Sequence, residues 1–326
     1  MREREALRGG DPFTNLREDL YREIERTIVG QKEVVDLTIA ALTVRGHILI
    51  EGVPGVAKTL LANSLARSMA VEFRRVQFTV DTLPSDIIGS IEPGAHEPYL
   101  RPGPVFTNVL LADEINRAMP KTQSALLEAM QERQVTIGGR SHPLPDPFLV
   151  VATQNPAELE ATFPLPEAQL DRFLFRIEMG YPSADDEIAV LEMAHRGVVS
   201  ATLEEVRPVL IAGDLLDARE IVDATRVPRE IARYIAELTR ATRRLQGVAL
   251  GASPRASVHL LAAAKASARL AGRDFTTPDD VRRMARPVLA HRLVLDSRAT
   301  REGFGAGDAV AAALEAVAPP RLARRS

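Results

Sequence analysis

The 326-residue chain contains no cysteine. Disulfides, thiolate zinc sites and cysteine nucleophiles are therefore excluded. Tryptophan is absent too, and aromatics make up only 4% of residues, so aliphatic side chains must fill the cores. No run of about 18 apolar residues occurs, so no membrane-spanning helix is expected. The opening residues Met1-Arg2-Glu3-Arg4-Glu5 are charged and lack the apolar stretch of a secretory signal. Excess charge is missing as well: the formal net charge is −3 and the pI is near 6.1. That balance gives no electrostatic case for a general nucleic-acid binder. The six histidines include no H-E-x-x-H pair and receive no metal role. Together these absences lead to the expectation of a soluble, cytoplasmic protein.

What is present is ordinary in bulk and specific in detail. Hydrophobic residues make up 45% and charged residues 26%, enough for real cores and a solvated surface. The length suits about two domains.

Residues 52–59 read Gly-Val-Pro-Gly-Val-Ala-Lys-Thr. The apolar strand Ile48-Leu49-Ile50 runs into this turn, and a helical pattern with Leu60, Leu61, Leu65 and Met69 follows it. Strand, glycine-rich turn and Lys-Thr at a helix start are the parts of a nucleotide phosphate site. Glycines let backbone N–H groups turn inward around anionic oxygens, and the helix N-terminus adds partial positive charge. The expected phosphate-binding residues are Gly52, Val53, Pro54, Gly55, Val56, Ala57, Lys58, Thr59 and Leu60. Lys58 would reach the β- and γ-phosphates, and Thr59 would give its hydroxyl to Mg²⁺. Ala57 departs from the usual glycine; it opens the helix, where a methyl group fits a right-handed conformation. An ordinary strand–helix turn with a solvated lysine is the competing reading.

Val109-Leu110-Leu111-Ala112-Asp113-Glu114 is an apolar run ending in two acids. A buried parallel strand delivers carboxylates to the carboxyl edge of a sheet in this way. Asp113 would hold Mg²⁺, directly or through water, and Glu114 would polarise an attacking water. Lys58 and Asp113 lie 55 residues apart, which leaves room for an intervening strand–helix unit. The two motifs together point to a P-loop ATPase.

The rest of the chain supports that plan. Helices are expected over residues 15–45, interrupted at Val29-Gly30-Gln31. Further strands are expected near Phe73–Thr79, Phe148–Ala152 and Phe173–Ile177. The stretch from Leu83 to Pro104 is rich in proline and glycine and reads as turns or a hairpin insertion. Gly138-Gly139 signals a second hairpin. From about Ser183 the chain turns helical, with helices expected near 184–195, 202–212, 228–244, 254–271, 278–288 and 306–316. Thr277-Pro278-Asp279-Asp280 carries the signal of a helix start. The expected division is an α/β parallel-sheet domain over residues 1–181 and a smaller helical domain over 182–326, with the boundary at Tyr181-Pro182.

The order of these motifs resembles the MoxR family of AAA+ ATPases over nearly the whole chain. The residues carrying the resemblance are Val29-Gly30-Gln31, Gly52–Thr59, Leu110–Ala118, Ala125–Thr136, Ala152–Pro156, Leu165–Phe173 and Ser253-Pro254-Arg255. Alanine at position 57 is common in that family. The resemblance implies a P-loop AAA+ parallel-sheet core followed by a smaller all-α lid domain. It also implies further roles. Asn155 looks like sensor 1, an amide that holds the attacking water or reads the γ-phosphate. Arg172 looks like an arginine finger serving a neighbouring subunit's nucleotide. Arg255 looks like sensor 2, bridging the lid to the phosphates. Val29, Gly30 and Gln31 resemble the segment lining the adenine pocket. The stretches Leu83–Pro104 and Val135–Leu144 fit the family's two insertions.

The function so implied is a homo-hexameric ring ATPase that remodels or activates a partner protein, or assists metal insertion into it. In this family the partner often has a von Willebrand A-type domain. Alternatives are the ATPase subunit of a magnesium-chelatase-like complex, a nucleic-acid motor, and a nucleotide-regulated binding module with negligible hydrolysis. Nucleic acid is the less expected partner on charge grounds.

Overall fold

The structure, a computed structural model, describes residues 12–52, 58–94, 97–155, 162–181, 183–195, 206–210 and 212–321. Two compact units form. One holds residues 16–173 and 177–216; the other holds residues 217 onward with residues 174–176 and those before 16.

The first unit begins with helices α1 (Pro12–Ile24) and α2 (Lys32–Thr43). The strands follow: β1 (Ile48–Gly52), β2 (Phe73–Gln77), β5 (Val109–Asp113), β8 (Leu149–Gln154) and β9 (Phe175–Met179) make one five-stranded sheet in the order β2-β5-β8-β1-β9. The pairs β2–β5, β5–β8 and β1–β8 are parallel. Interior strand β5 is buried along its whole length, as its unbroken apolar run requires when helices cover both faces. Edge strand β2 instead carries Arg74 and Arg75 and is only partly buried. Helix α3 (Lys58–Ser68) follows β1.

Between β2 and β5 lie the short helix α4 (Pro84–Ile88) and a hairpin of β3 (Gly89–Glu92) and β4 (Tyr99–Pro102). Helix α5 (Pro120–Glu132) buries Leu126, Leu127, Ala129 and Met130 against the sheet. It leads into the hairpin of β6 (Gln134–Ile137) and β7 (Arg140–Pro143). Gly138 and Gly139, with φ of 58° and 75°, turn that hairpin in the left-handed region. A Cβ on Gly138 would sit 2.9 Å from the Ile91 side chain, so the two hairpins touch.

Helices α6 (Glu167–Leu170) and α7 (Ala184–His195) flank β9 in sequence, and α8 (Ala212–Asp223) follows. Here one expectation fails. A helix was expected over 202–212, but Val206–Leu210 is not helical and the helix starts at Ala212. Pro208 explains the shift: it lacks an N–H and pushes Arg207 out of the helical region. The segment bonds elsewhere. Arg207 N–H donates to Glu23 at 3.0 Å, and Val209 and Leu210 N–H groups donate to the Ser68 carbonyl at 2.8 and 3.1 Å. Residues 201–205 and 211 lie outside the described residues.

The second unit is mostly helical: α9 (Arg229–Thr242), α10 (Pro254–Leu270), α11 (Pro278–Leu289), α12 (Ser297–Arg301) and α13 (Ala306–Ala316). Helix α9 buries Ile231, Tyr234, Ile235 and Leu238, the i, i+3, i+4, i+7 face of an amphipathic helix. Two short strands, β10 (Val248–Leu250) and β11 (Val294–Leu295), pair antiparallel. Ser253 caps α10 by accepting the Ala256 N–H. Thr277 and Asp280 form a capping box at α11. Asp280 is buried and accepts both terminal nitrogens of Arg273 at 2.7 Å. Burial would raise its pKa, but the bonds from Arg273 and Thr277 outweigh that and hold it below the ordinary value. Among the described residues no helix is long and apolar enough to cross a membrane.

One buried histidine sets a pH limit on the first unit. His47 Nδ1 accepts the Val150 N–H at 3.0 Å, and Nε2 lies 3.1 Å from the Met130 carbonyl. An acceptor on one nitrogen and a donor on the other is the neutral imidazole. Burial, with Arg133 adding to it, lowers its pKa from 6.5 to about 3. The unfolded chain takes up this proton below 6.5 and the folded chain does not, so stability falls as pH drops from 6.5 toward 3. The loss is about 1.4 kcal/mol per pH unit from this group. We expect urea midpoints of His47→Gln to depend less steeply on pH across that window than those of the wild type. Equal slopes would remove His47 as the cause.

Candidate active site

Strand β1 delivers the first part of the site. Ile48, Leu49 and Ile50 are buried, and the strand ends at Gly52. A Cβ on Gly52 would meet the Met179 carbonyl oxygen at 2.5 Å and the Met179 Cβ at 3.1 Å. Glycine is needed there because the end of β9 passes too close for any side chain. Val53, Pro54, Gly55, Val56 and Ala57 lie outside the described residues. The chain resumes at the first turn of α3 with Lys58, Thr59 and Leu60, all half-buried. Lys58 Nζ donates to the Gly52 carbonyl at 2.9 Å, which draws the ammonium to the end of β1. The α3 N-terminus adds its partial positive charge at the same place.

Strand β5 delivers the acids. Asp113 is 8% exposed at the strand end. Its Oδ1 accepts the Thr153 hydroxyl at 2.6 Å. Its Oδ2 accepts Arg75 Nη2 at 2.7 Å and Nε at 3.2 Å. Glu114 follows in the left-handed region, with φ 57° and ψ 48°. Its N–H donates to Thr153 Oγ1 at 3.0 Å. Glu114 Oε2 accepts Gln77 Nε2 at 2.8 Å and pairs with Arg117 Nε at 3.0 Å.

Strand β8, between the other two, delivers the amide. Gln154 hydrogen-bonds Glu51 across the β1–β8 pair. Asn155 comes next and is 5% exposed. The structure thus brings Gly52, Lys58, Asp113, Glu114 and Asn155 to the carboxyl ends of three neighbouring strands, β5, β8 and β1. In parallel α/β sheets that edge is where ligands bind.

Residues 47–175 match the family described as ATPase family associated with various cellular activities (AAA), and residues 240–312 match the AAA lid domain. The Mycobacterium tuberculosis protein named chaperone MoxR1 is 45% identical over 311 residues, spanning 92% of this chain and 81% of that protein. This chain belongs to the MoxR family of AAA+ ATPases. YeaC of Bacillus subtilis is 46% identical over 299 residues, covering 91% of this chain and 92% of its own. A solved structure of a Cytophaga hutchinsonii protein superposes with a TM-score of 0.88 at 39% identity, covering 95% of this chain and 96% of that one. The fold is accordingly an AAA+ α/β core with a helical lid, and the protein is an ATPase.

The remaining expected MoxR site residues are carried by other elements. Gly30 and Gln31 form the joint between α1 and α2. Gly30 has φ 78°, and a Cβ on it would meet the Asp186 carboxylate at 2.3 Å. Gln31 is the N-terminal cap of α2 but makes no side-chain capping bond. Arg172 follows α6, half-buried, with its N–H on the Gln169 carbonyl at 3.1 Å. Arg255 belongs to the second unit, exposed at the second position of α10.

A metal ion at the sheet edge is compatible with the residues present. Among the described residues no cluster of three or more His, Cys, Asp or Glu could hold an ion by itself. Mg²⁺ does not need one: it is typically held by one or two carboxylates together with phosphate and water oxygens. Asp113 and the Thr59 hydroxyl are hard oxygen donors of that kind.

Three contributors escaped the sequence reading: Thr153, Arg75 and Gln77. Each acts across strands, so no local motif marks it. The one local signal is Thr153, a lone hydroxyl directly after the apolar run Phe148–Ala152.

The tight approach at Gly52 is testable. Gly52→Ala drives a methyl group into a backbone oxygen, so β1 and β9 must separate. We expect a destabilisation of about 1–3 kcal/mol in urea unfolding. A wild-type midpoint would mean that β9 yields freely.

Proposed function

We propose that this MoxR-family ATPase works as a cytoplasmic homo-hexameric ring that couples ATP hydrolysis to remodelling or activating a partner protein. The observation that carries the catalytic part is the shared edge, where two acids and an amide follow the ends of adjacent parallel strands and Lys58, from the start of α3, bonds the end of a third. The name of the chaperone MoxR1 supports a protein substrate. Within the family pattern the partner is one with a von Willebrand A-type domain.

The proposed roles follow from position and chemistry. Backbone N–H groups of the loop Gly52–Ala57, Pro54 excepted, and the α3 N-terminus bind the phosphates. Lys58 neutralises β- and γ-phosphate charge. Thr59 and Asp113 hold Mg²⁺, which, when bound, offsets the charge developing on the phosphoryl oxygens. Glu114 orients a water and takes its proton as oxygen attacks the γ-phosphorus and the bond to the β–γ bridging oxygen breaks. Asn155 hydrogen-bonds the water or the γ-phosphate. Arg172 reaches a neighbouring subunit's nucleotide, Arg255 links the lid to the phosphates, and Gly30 and Gln31 line the adenine. Leu60 completes the first turn beneath the phosphates. The division into residues 1–181 and 182–326 makes the nucleotide the link between core and lid, so hydrolysis moves one against the other.

Two outcomes follow. Lys58→Ala should abolish nucleotide binding, whereas Glu114→Gln should bind normally and lose about 10²–10⁴-fold in turnover. Fluorescent-nucleotide titration and phosphate release separate these effects; normal turnover in Glu114→Gln would remove it as the base.

Arg172→Ala should be inactive alone, since a finger is worth roughly 10³–10⁵ in rate. Mixing it with Lys58→Ala creates interfaces that pair an intact site with an intact finger. Once two-tag pull-down shows co-assembly, part of the hydrolysis should return. Mixed rings without recovery would argue against action between subunits.

A further inference from the structure

We propose that Thr153 is the positioning residue that fixes both acids at the end of β5. The inference rests on the roles given above to Asp113 and Glu114. Thr153 is completely buried at the end of an otherwise apolar strand. A buried hydroxyl there must find partners, and this one finds two. Oγ1 donates to Asp113 Oδ1 at 2.6 Å and accepts the Glu114 N–H at 3.0 Å. The directions are set by chemistry: the ionised carboxylate can only accept and the amide can only donate. One oxygen atom therefore touches both acidic residues, through the side chain of one and the backbone of the other.

The two halves of this contact do different things. On Asp113, Thr153 holds Oδ1 while Arg75 holds Oδ2. Arg75 is a long side chain, 47% exposed, and fixes direction weakly. Thr153 is β-branched and packed, so its χ1 is stiff and its hydroxyl stays put. On Glu114, the bond anchors a residue whose φ of 57° is uncommon for anything but glycine. The carboxylate of Glu114 leaves the backbone from that turn, so its aim depends on the turn being held. The metal-binding acid and the water-activating acid are thereby kept in fixed relation by a fully buried hydroxyl.

The test compares Thr153→Val, which keeps the shape and removes the hydroxyl, with Thr153→Ser, which keeps the hydroxyl. The affinity of a methylanthraniloyl-ATP probe is measured in EDTA and across a Mg²⁺ titration, alongside steady-state turnover. We expect T153V to bind the probe in EDTA like the wild type. Its Mg²⁺-dependent tightening and its kcat should each fall about 10–100-fold, the size seen when a group orienting a metal ligand is lost. T153S should recover most of both. If T153V does not fold, T153A against T153S carries the same comparison. Wild-type Mg²⁺ dependence and kcat in the variant lacking the hydroxyl, or a T153S as defective as it, would overturn the proposal. Glu114→Gln in parallel separates the two ideas. If it loses turnover while T153V does not, only the positioning role fails. If it turns over normally, the reading of Glu114 fails and the positioning role with it.

Discussion

The chemistry of the α/β unit depends on the register of three parallel strands. Val151 of β8 sits opposite Leu111 of β5 on one side and Ile48 of β1 on the other. One rung further, Ala152 faces Ala112 and Leu49. Counting on from there brings Thr153 level with Asp113, and the hydroxyl–carboxylate bond forms across that step. Side chains alternate between the faces of a strand, so a slip of one residue would turn Thr153 to the opposite face. The acids, the amide and the lysine would then no longer share an edge. The apolar residues of β5 and β8 fix the register because both faces of these strands are buried.

Much of this arrangement was legible in the sequence, for a definite reason. Unbroken apolar runs such as Val109–Ala112 and Phe148–Ala152 announce buried parallel strands, and both runs became neighbours in the sheet. Gly138-Gly139 announced a hairpin because two consecutive left-handed residues suit little else. Ser253-Pro254 and Thr277-Pro278 announced helix starts through capping chemistry that is local by nature. Among the expected site residues, Asp113 and Glu114 stood out because they end an apolar run, whereas Asn155 was marked only by the resemblance to the family. What was missed acts at a distance. Arg75, Gln77 and Thr153 gain their roles from the strand next door, and chain order does not reveal which strand that is. Strands β10 and β11, three and two residues long, are too short to carry any periodicity. The helix expected over 202–212 failed because the helical pattern there was overridden by Pro208 and by docking onto the end of α3.

The second unit is held differently. Its helices bury aliphatic stripes, and a few polar anchors fix where helices begin. Asp280 satisfies the Thr277 N–H and hydroxyl, the Ser267 hydroxyl and the Arg273 guanidinium at once. A buried carboxylate so fully engaged specifies one arrangement of the α10–α11 turn, because any other would leave a charge without partners. The lid thus has a rigid corner built from charge, whereas the sheet has a rigid edge built from register.

The crowding at Gly52 has an evolutionary consequence. The nearest obstacle to a side chain there is the backbone oxygen of Met179, an atom that every amino acid carries. Substitution at position 179 can trim the Met179 Cβ contact but cannot remove that oxygen. No single compensating change at the point of contact can therefore license a larger residue at 52. The end of β1 is a position where drift is blocked by the main chain itself, and tolerance could return only through a shift of the whole β9 strand.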